Sequence, residues 1–133
     1  MLPRRLYIED FLIHRESDID FTLFSSALIV AVDKNNPNES NGVGKTSILR
    51  AIDYALFGMI PKGATLEKIV RDGCDKCKVI FEFESTGDYY KIERSRSNKS
   101  NKSELKLFKD NNGWIEISGN SIAEMVRMSF QMI

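Results

Sequence analysis

Apolar and polar positions alternate in several stretches of the chain, in the pattern of β-strands that bury one face. Residues 4–9 and 18–23 alternate in this way, and similar segments follow at 78–84, 89–94 and 104–109. Successive side chains of a strand point to opposite faces of a sheet. These segments therefore predict a sheet that is covered on one side.

Polar clusters rich in glycine and asparagine separate the later strands. Residues 85–88 read Ser-Thr-Gly-Asp, which is typical of a hairpin turn, and residues 111–113 read Asn-Asn-Gly before a short strand at Trp114–Ile117. The tract 95–103 is rich in serine, asparagine and lysine and predicts a long exposed hairpin loop. The second half of the chain is thus predicted to form hairpins.

An amphipathic helix is predicted at Lys45–Phe57, because apolar residues recur there at four-residue spacing. Its apolar face consists of Ile48, Leu49, Ile52 and Leu56. Gly58, followed by Pro61, ends the helix. Shorter helices are predicted at 65–70 and 121–128.

The composition changes abruptly before this helix. Residues 27–32 are continuously apolar, as in a strand buried on both faces, whereas residues 33–44 are polar and contain four asparagines, one proline and two glycines. A buried strand, a glycine-bearing loop and a helix that opens with Gly-Lys-Thr form the context of a phosphate-binding P-loop. We place this P-loop at 39–46.

The residues of this loop suit nucleotide binding. Gly42 and Gly44 let the backbone pass close to a phosphate, and unpaired N–H groups at a helix start bind its oxygens. Lys45 supplies a positive charge for the β- and γ-phosphates, and the Thr46 hydroxyl is a ligand for Mg²⁺. ATP and Mg²⁺ are therefore the predicted cofactors. The predicted nucleotide site comprises Asn41, Gly42, Val43, Gly44, Lys45, Thr46 and Ser47.

One position departs from the P-loop pattern. Glu39 stands where the pattern has a glycine, five residues before Gly44. Residues 33–38 add length between the apolar run and Glu39, so we expect its carboxylate to face solvent. The alternative is that Gly-x-Gly-Lys-Thr merely ends a polar loop.

The overall composition limits the class of protein. With 42% apolar and 29% charged residues among 133, the chain is typical of one soluble globular domain. No apolar run approaches the roughly 20 residues of a membrane helix, and no signal sequence is recognisable, so we expect a cytoplasmic protein without a membrane partner.

The formal net charge is zero, but basic residues are concentrated in one segment, the basic hairpin at 89–109. Seven basic and two acidic residues lie between Lys91 and Lys109. The residues predicted to contact DNA phosphates are Arg94, Arg96, Lys99 and Lys102. A solvated hairpin would have the same composition.

Cys74 and Cys77 form a Cys-x-x-Cys pair, and the only histidine, His14, is distant in sequence. A zinc site needs four ligands. We therefore interpret the pair as two reduced thiols in a turn.

Residues 40–58 resemble the SbcC family, the bacterial and phage relatives of the eukaryotic Rad-fifty protein. Family members run Asn-Gly-x-Gly-Lys-Ser/Thr and then a helix that closes with Leu-Phe-Gly, as this segment does. Residues 10–14, 69–73, 79–83 and 90–94 are similar to further family motifs in the same order. The family also offers Gln131 as a candidate for its nucleotide-sensing glutamine, a Mg²⁺ ligand, whereas Leu12 replaces a common arginine.

The resemblance implies that residues 1–133 are the N-terminal half of an ABC-type ATPase head. The implied fold is an α/β P-loop NTPase lobe, with a mixed, largely antiparallel sheet packed on the P-loop helix. In this family the C-terminal half supplies the signature motif, the aspartate that holds Mg²⁺ and the glutamate that activates water. None of those features follows the P-loop here, so the chain alone is expected to be essentially inactive as an ATPase.

The function implied by the resemblance is ATP-gated processing of DNA in double-strand-break repair or recombination. The implied partners are DNA, an SbcD-type nuclease, the C-terminal half of the same ATPase and a second complete head in a homodimer. Two alternatives stay open. The chain could belong to another SMC-like branch, RecF-like or restriction-linked, or it could be a nucleic-acid-binding module with a degenerate P-loop.

Overall fold

The computed structural model describes residues 2–23 and 45–117. In these ranges, six strands form one antiparallel sheet in the order β2-β1-β3-β4-β5-β6. The strands are β1 (Leu2–Phe11), β2 (His14–Asp20), β3 (Lys76–Ser85), β4 (Asp88–Ser97), β5 (Lys102–Asp110) and β6 (Trp114–Ile117). The helix α1 is Lys45–Phe57, and short 3-10 turns occupy Phe21–Leu23 and Leu66–Ile69.

The sheet separates two faces, as the alternation in the sequence predicts. Along β3 each buried side chain is followed by a more exposed one. A row of directly paired, buried residues crosses four strands on the inner face, the face that carries the core. The row consists of Leu6, Phe81, Ile92 and Leu107. Burial of each such side chain contributes about 1.5–3 kcal/mol, so this row stabilises the centre of the sheet.

Both predicted turns are confirmed. Thr86 and Gly87, between β3 and β4, have φ angles of 52° and 83°, the positive values that a two-residue type I′ hairpin turn requires. Asn112 and Gly113 also have positive φ before β6, and the Gly113 N–H donates to the Asp110 carboxylate at 3.0 Å. These turns fix the register of the hairpins.

Helix α1 has the predicted bounds, but its buried face differs from the prediction. Among the residues of α1 whose burial is described, 47–57, the buried ones are Ala51, Tyr54, Ala55 and Leu56. Leu49 is 55% exposed, so its assignment to the buried face was wrong. The two alanines explain the difference, because their small side chains let the helix backbone lie close to the sheet.

Two other segments were assigned incorrectly. The strand predicted at 18–23 ends at Asp20, because the Asp20 carboxylate accepts a hydrogen bond from the Thr22 N–H at 2.9 Å and starts a 3-10 turn. The long loop predicted at 95–103 is reduced to 98–101, because cross-strand pairing continues as far as Ser97 and Lys102.

The predicted strand at 27–32, the loop at 33–44 and the helix at 121–128 lie outside the described residues. Within the described ranges, α1 is the longest helix and does not have the length and apolar character needed to cross a membrane.

Candidate functional site

Helix α1 begins at Lys45, immediately after the glycine of the predicted phosphate-binding sequence. The residues at 39–44, including Glu39, lie outside the described part of the chain, as do Gln131 and the side chains of Lys45 and Thr46. The structure therefore describes, from Lys45 onward, the helix on which the predicted site depends. The contacts assigned to the individual P-loop residues stay predictions.

The second half of α1 contacts the sheet through an aromatic pair. The ring of Tyr54 stacks on the ring of Phe11, at the end of β1, with 5.3 Å between centroids and 25° between planes. Both side chains are buried. Two of the motifs that carry the family resemblance, 10–14 and 40–58, therefore meet in the core.

The phenol of Tyr54 is an unusual core group. Its hydroxyl is buried and has no hydrogen-bond partner among the described residues. Burial raises the pKa of Tyr54 to about 12, because the charged phenolate would be desolvated. Tyr54 is therefore held in the core as a neutral phenol.

Arg94 reaches the C-terminal end of α1 from β4. Its Nε donates a hydrogen bond to the Ala55 carbonyl oxygen at 3.3 Å, and its guanidinium carbon lies 5.7 Å from the centre of the Tyr54 ring. Burial lowers the pKa of Arg94. Positive groups at a helix C-terminus interact favourably with the carbonyl groups that lack helical partners. Arg94 thus supports the last turn of α1.

Gly58 ends α1 in the left-handed conformation that glycine favours. Its φ is 68°, and its N–H donates to the Tyr54 carbonyl oxygen at 2.8 Å. A Cβ at this position would lie 3.0 Å from Nη1 of Arg94. The glycine of the Leu-Phe-Gly motif is therefore required both by the backbone and by the space that the guanidinium occupies.

The turn after β1 is joined to residues 69–71. The Leu12 N–H donates to the Ile69 carbonyl oxygen, and the Arg71 N–H donates to the Asp10 carbonyl oxygen, both at 2.8 Å. The Arg71 side chain also pairs with the Asp10 carboxylate at 3.1 Å. Leu12, which replaces the family's arginine, has a φ of 53° and packs against the core. The family motif at 69–73 is therefore joined to the motif at 10–14.

The two cysteines occupy different environments. Cys77 lies on the inner face of β3, where burial raises the pKa of its thiol to about 11, whereas Cys74 lies in the turn before that strand. Both are free thiols. Placing both in a turn was wrong for Cys77, because β3 begins at Lys76. In the part of the chain that the structure describes, no three potential metal ligands cluster.

The structure does not present the four predicted DNA-contacting side chains together. Arg94 and Arg96 lie two residues apart on the inner face of β4, and Arg96 is only 6% exposed. Arg96 donates hydrogen bonds to the side chains of Asn98, Asn101 and Ser103, and so holds the loop between β4 and β5. The predicted joint exposure was therefore wrong for both arginines, whereas Lys99 and Lys102 are exposed.

A groove of about 720 Å³ lies at this end of the sheet. Its lining includes four exposed lysines, Lys76, Lys99, Lys102 and Lys106. Among the described residues, none of the four has a carboxylate within ion-pair distance, whereas Lys78 pairs with Glu93 at 3.5 Å. Acidic side chains also line the groove, among them Glu9, Asp75 and Glu104. The unpaired cations therefore lie among carboxylates rather than on a uniformly basic surface.

The sequence of this chain matches that of a known protein family. The family model described as "AAA domain" matches residues 5–131. The chain belongs to this family. The AAA domain match spans both the P-loop sequence and every motif of the resemblance.

Two relatives confirm the resemblance of this AAA domain to the SbcC family. A "DNA double-strand break repair Rad50 ATPase" of Thermoplasma acidophilum is 30% identical over 127 residues, which are 96% of this chain and 12% of the relative. The SbcC component of the SbcCD nuclease of Deinococcus radiodurans is 30% identical over 126 residues, 91% of this chain and 13% of the relative. The AAA domain thus spans about one eighth of the length of these relatives.

A solved structure supports the fold. The structure of the recombination mediator protein RecF with ATP has a TM-score of 0.61 to this AAA domain, at 16% identity, over 90% of this chain and 29% of that chain. At this identity the likeness concerns the fold alone, which is that of a P-loop NTPase with an antiparallel sheet.

Sequence reasoning missed two positions that support the AAA domain's α1. The sequence assigned Arg94 to a family motif and to the predicted DNA contacts, and Gly58 to the end of the helix, but it gave neither residue a role in supporting α1. Strand alternation offered a signal for Arg94, since it lies two residues after the buried Ile92 and so on the same face. Lys76 was also missed, because the cross-strand pairing of β3, β4 and β5 is what brings it near Lys102.

Proposed function

We propose that this chain is the ATP-binding lobe of an SbcC-like ATPase that acts in DNA double-strand-break repair or recombination. The observation that carries the proposal is that α1 begins at Lys45, so that Gly-Lys-Thr leads directly into its first turn. N–H groups of that turn have no helical partners and lie at the positive end of the helix dipole. The relative from Thermoplasma acidophilum, a DNA double-strand break repair ATPase by name, supports the same proposal.

The residues of the loop have distinct roles in this proposal. The backbone from Asn41 to Gly44 surrounds the phosphates, and Lys45 neutralises charge on the β- and γ-phosphates. Thr46 and Ser47 lie in the first turn, and the Thr46 hydroxyl is the proposed Mg²⁺ ligand, with Gln131 as a second candidate. A bound Mg²⁺ would supply further positive charge beside the phosphates. Glu39 is proposed to face solvent.

Replacement of Lys45 by alanine should weaken binding of ATP in the presence of Mg²⁺ by at least tenfold, or about 1.4 kcal/mol. The reason is the loss of a charge-assisted hydrogen bond to phosphate. Titration of a fluorescent ATP analogue against both proteins measures the effect. Arg50→Ala removes an exposed charge from the same helix and should change affinity little. Equal affinities of wild type and Lys45→Ala would rule the proposed site out.

The parent protein is proposed to be longer than this chain. The chain spans 12–13% of the two relatives, and one of these is named as part of a nuclease. We therefore propose that the C-terminal half of the same ATPase completes the head, that complete heads form a homodimer, and that an SbcD-type nuclease is a partner in the cytoplasm. The likeness to RecF favours a RecF-like ATPase as the second candidate.

DNA is the proposed macromolecular ligand, and the lysine group of the groove, Lys76, Lys99, Lys102 and Lys106, is its proposed contact. Neutralised phosphates release counterions, so binding should weaken steeply as salt rises. The double variant Lys99→Ser/Lys102→Ser should bind duplex DNA of unrelated sequences about tenfold more weakly at low salt. It should also lower the salt slope by about two.

A charge-matched control is the double variant Arg15→Ser/Lys62→Ser, which removes two exposed cations elsewhere. Fluorescence anisotropy at several salt concentrations compares the two. If both double variants lose the same affinity, overall charge governs binding and the lysine group is not the contact.

A further inference from the structure

The attachment of α1 to the sheet is concentrated in its C-terminal half. Among the residues of α1 whose burial is described, 47–57, the buried ones all lie in that half: Ala51, Tyr54, Ala55 and Leu56. Earlier in the helix, Ser47 and Ile48 are half-buried, whereas Leu49 and Arg50 are exposed. The contacts of α1 with the described strands therefore lie mainly at its C-terminal end, far from its first turn.

This arrangement makes the position of the first turn sensitive to the far end. Lys45 precedes Ala55 by ten residues, or about 15 Å at about 1.5 Å per residue, so a tilt of about 5° displaces the first turn by about 1.3 Å. Hydrogen bonds weaken over a few tenths of an ångström beyond their usual length. A small rotation of α1 about its C-terminal end would therefore weaken the hydrogen bonds between the first turn and any ligand bound there.

Arg94 controls this end through contacts on more than one side. It donates to the Ala55 carbonyl oxygen, lies over the Tyr54 ring and fills the space beside Gly58. Among the described residues, no carboxylate forms an ion pair with Arg94. The Ala55 carbonyl and the Tyr54 ring therefore stabilise the half-buried charge of Arg94. Displacement of α1 would leave this charge without those two partners.

We propose that Arg94 is a positioning residue for nucleotide binding, which sets the orientation of α1 from its C-terminal end and thereby the position of its first turn. The inference rests on the proposed function for its ligand. Arginine suits the role better than lysine, because its planar guanidinium can donate at its edge while its face lies over a ring. Arg94 itself does not touch the nucleotide.

The test compares Arg94→Ala, Arg94→Lys and a control variant in the full chain, at a temperature below every melting transition. Leu107→Val serves as the control, because it removes buried volume from β5 without changing the contacts of Arg94. Two quantities are measured for each protein: the dissociation constant for ATP with Mg²⁺, and amide hydrogen exchange of the segment 45–57 by mass spectrometry.

Arg94→Ala should weaken ATP binding at least tenfold and accelerate exchange throughout α1. Arg94→Lys should recover part of both effects, since lysine can still donate to Ala55. Leu107→Val should lower the melting temperature but leave the ATP dissociation constant within twofold of wild type. A loss of ATP affinity in Arg94→Ala but not in Leu107→Val would show that the effect of Arg94 on binding is not a consequence of lower stability.

The inference is overturned if folded Arg94→Ala binds ATP as wild type does, or if Leu107→Val weakens binding equally for the same loss of stability. Unchanged exchange in α1 of Arg94→Ala also overturns it, whether or not ATP binds. If wild type fails to bind ATP, the proposed function and the role of Arg94 in nucleotide binding both fall. Accelerated exchange would then show only that Arg94 holds the helix.

Discussion

Gly58→Val is expected to lower the free energy of unfolding by about 3 kcal/mol. A φ of 68° costs an ordinary L residue about 1–2 kcal/mol, and a β-branched residue is still less tolerant. The new Cβ would also lie 3.0 Å from Nη1 of Arg94. Displacing the guanidinium weakens a hydrogen bond from a charged group, which contributes about 1.5–3 kcal/mol.

Gly63 provides a matched control for this prediction. Its φ is 82°, but a Cβ there would have no atom within 4 Å outside its chain neighbours. Gly63→Val should therefore lower the free energy of unfolding by the cost of a positive φ alone, because no contact with Arg94 is disturbed. Urea unfolding of the three proteins measures the difference. Equal losses at Gly58 and Gly63 would mean that the contact with Arg94 contributes nothing to stability.

Stability should also fall steeply between pH 9 and pH 12. Burial raises the pKa of Cys77 from 9.0 to about 11 and that of Tyr54 from 10.0 to about 12. In these windows the unfolded chain loses protons that the folded chain retains, so rising pH favours unfolding. Each group contributes at most about 1.4 kcal/mol per pH unit within its own window. Below about pH 8 both groups are protonated in the folded and in the unfolded chain, so neither affects the pH dependence.

The double variant Cys77→Val/Tyr54→Phe isolates this effect, because both replacements keep approximate volume and remove the ionisable group. Its unfolding free energy should decline less than that of wild type from pH 9 to pH 12, when measured by urea unfolding. Tyr89→Phe changes a tyrosine that is 39% exposed and serves as the control. An alkaline decline of the same size in the double variant and in wild type would show that these two groups do not cause it.

Most of the secondary structure could be predicted because local patterns determine it. The bounds of α1 follow from the apolar period and Gly58, and the hairpin turns follow from Thr86-Gly87 and Asn112-Gly113. The errors arose where a non-local or side-chain contact decided the outcome. The Asp20 carboxylate ends β2 early, and Leu49 is exposed because Ala51 and Ala55 face the sheet instead.

In the candidate site, too, local features could be predicted from the sequence and non-local contacts could not. The Gly-Lys-Thr sequence reveals the phosphate-binding chemistry, since that chemistry depends on a few consecutive residues. The support of α1 by Arg94 joins residues that are 39 positions apart, at Ala55 and Arg94, and no local pattern contains it. The orientation of Arg96 was in principle predictable from strand alternation, whereas its three polar partners depend on the geometry of the loop.

The central proposal is that this chain supplies the nucleotide-binding half of an ATPase and that another segment of the ATPase supplies the residues that complete hydrolysis. Hydrolysis needs a positioned water and charge neutralisation around the γ-phosphate. Glu39 lies within the P-loop, Asp33 and Asp53 are the acids nearest to it in sequence, and Glu67 is the next acid after Asp53. Asp53 is exposed on α1, eight residues or about 12 Å from Lys45, and Glu67 is exposed in the 3-10 turn at Leu66–Ile69.

Phosphate release by the pure 133-residue chain, at saturating ATP and Mg²⁺, tests this claim most directly. Wild type should bind ATP but release phosphate no faster than Lys45→Ala. Sustained phosphate release by wild type that disappears in Lys45→Ala would contradict the account, because the catalytic residues would then lie within this chain.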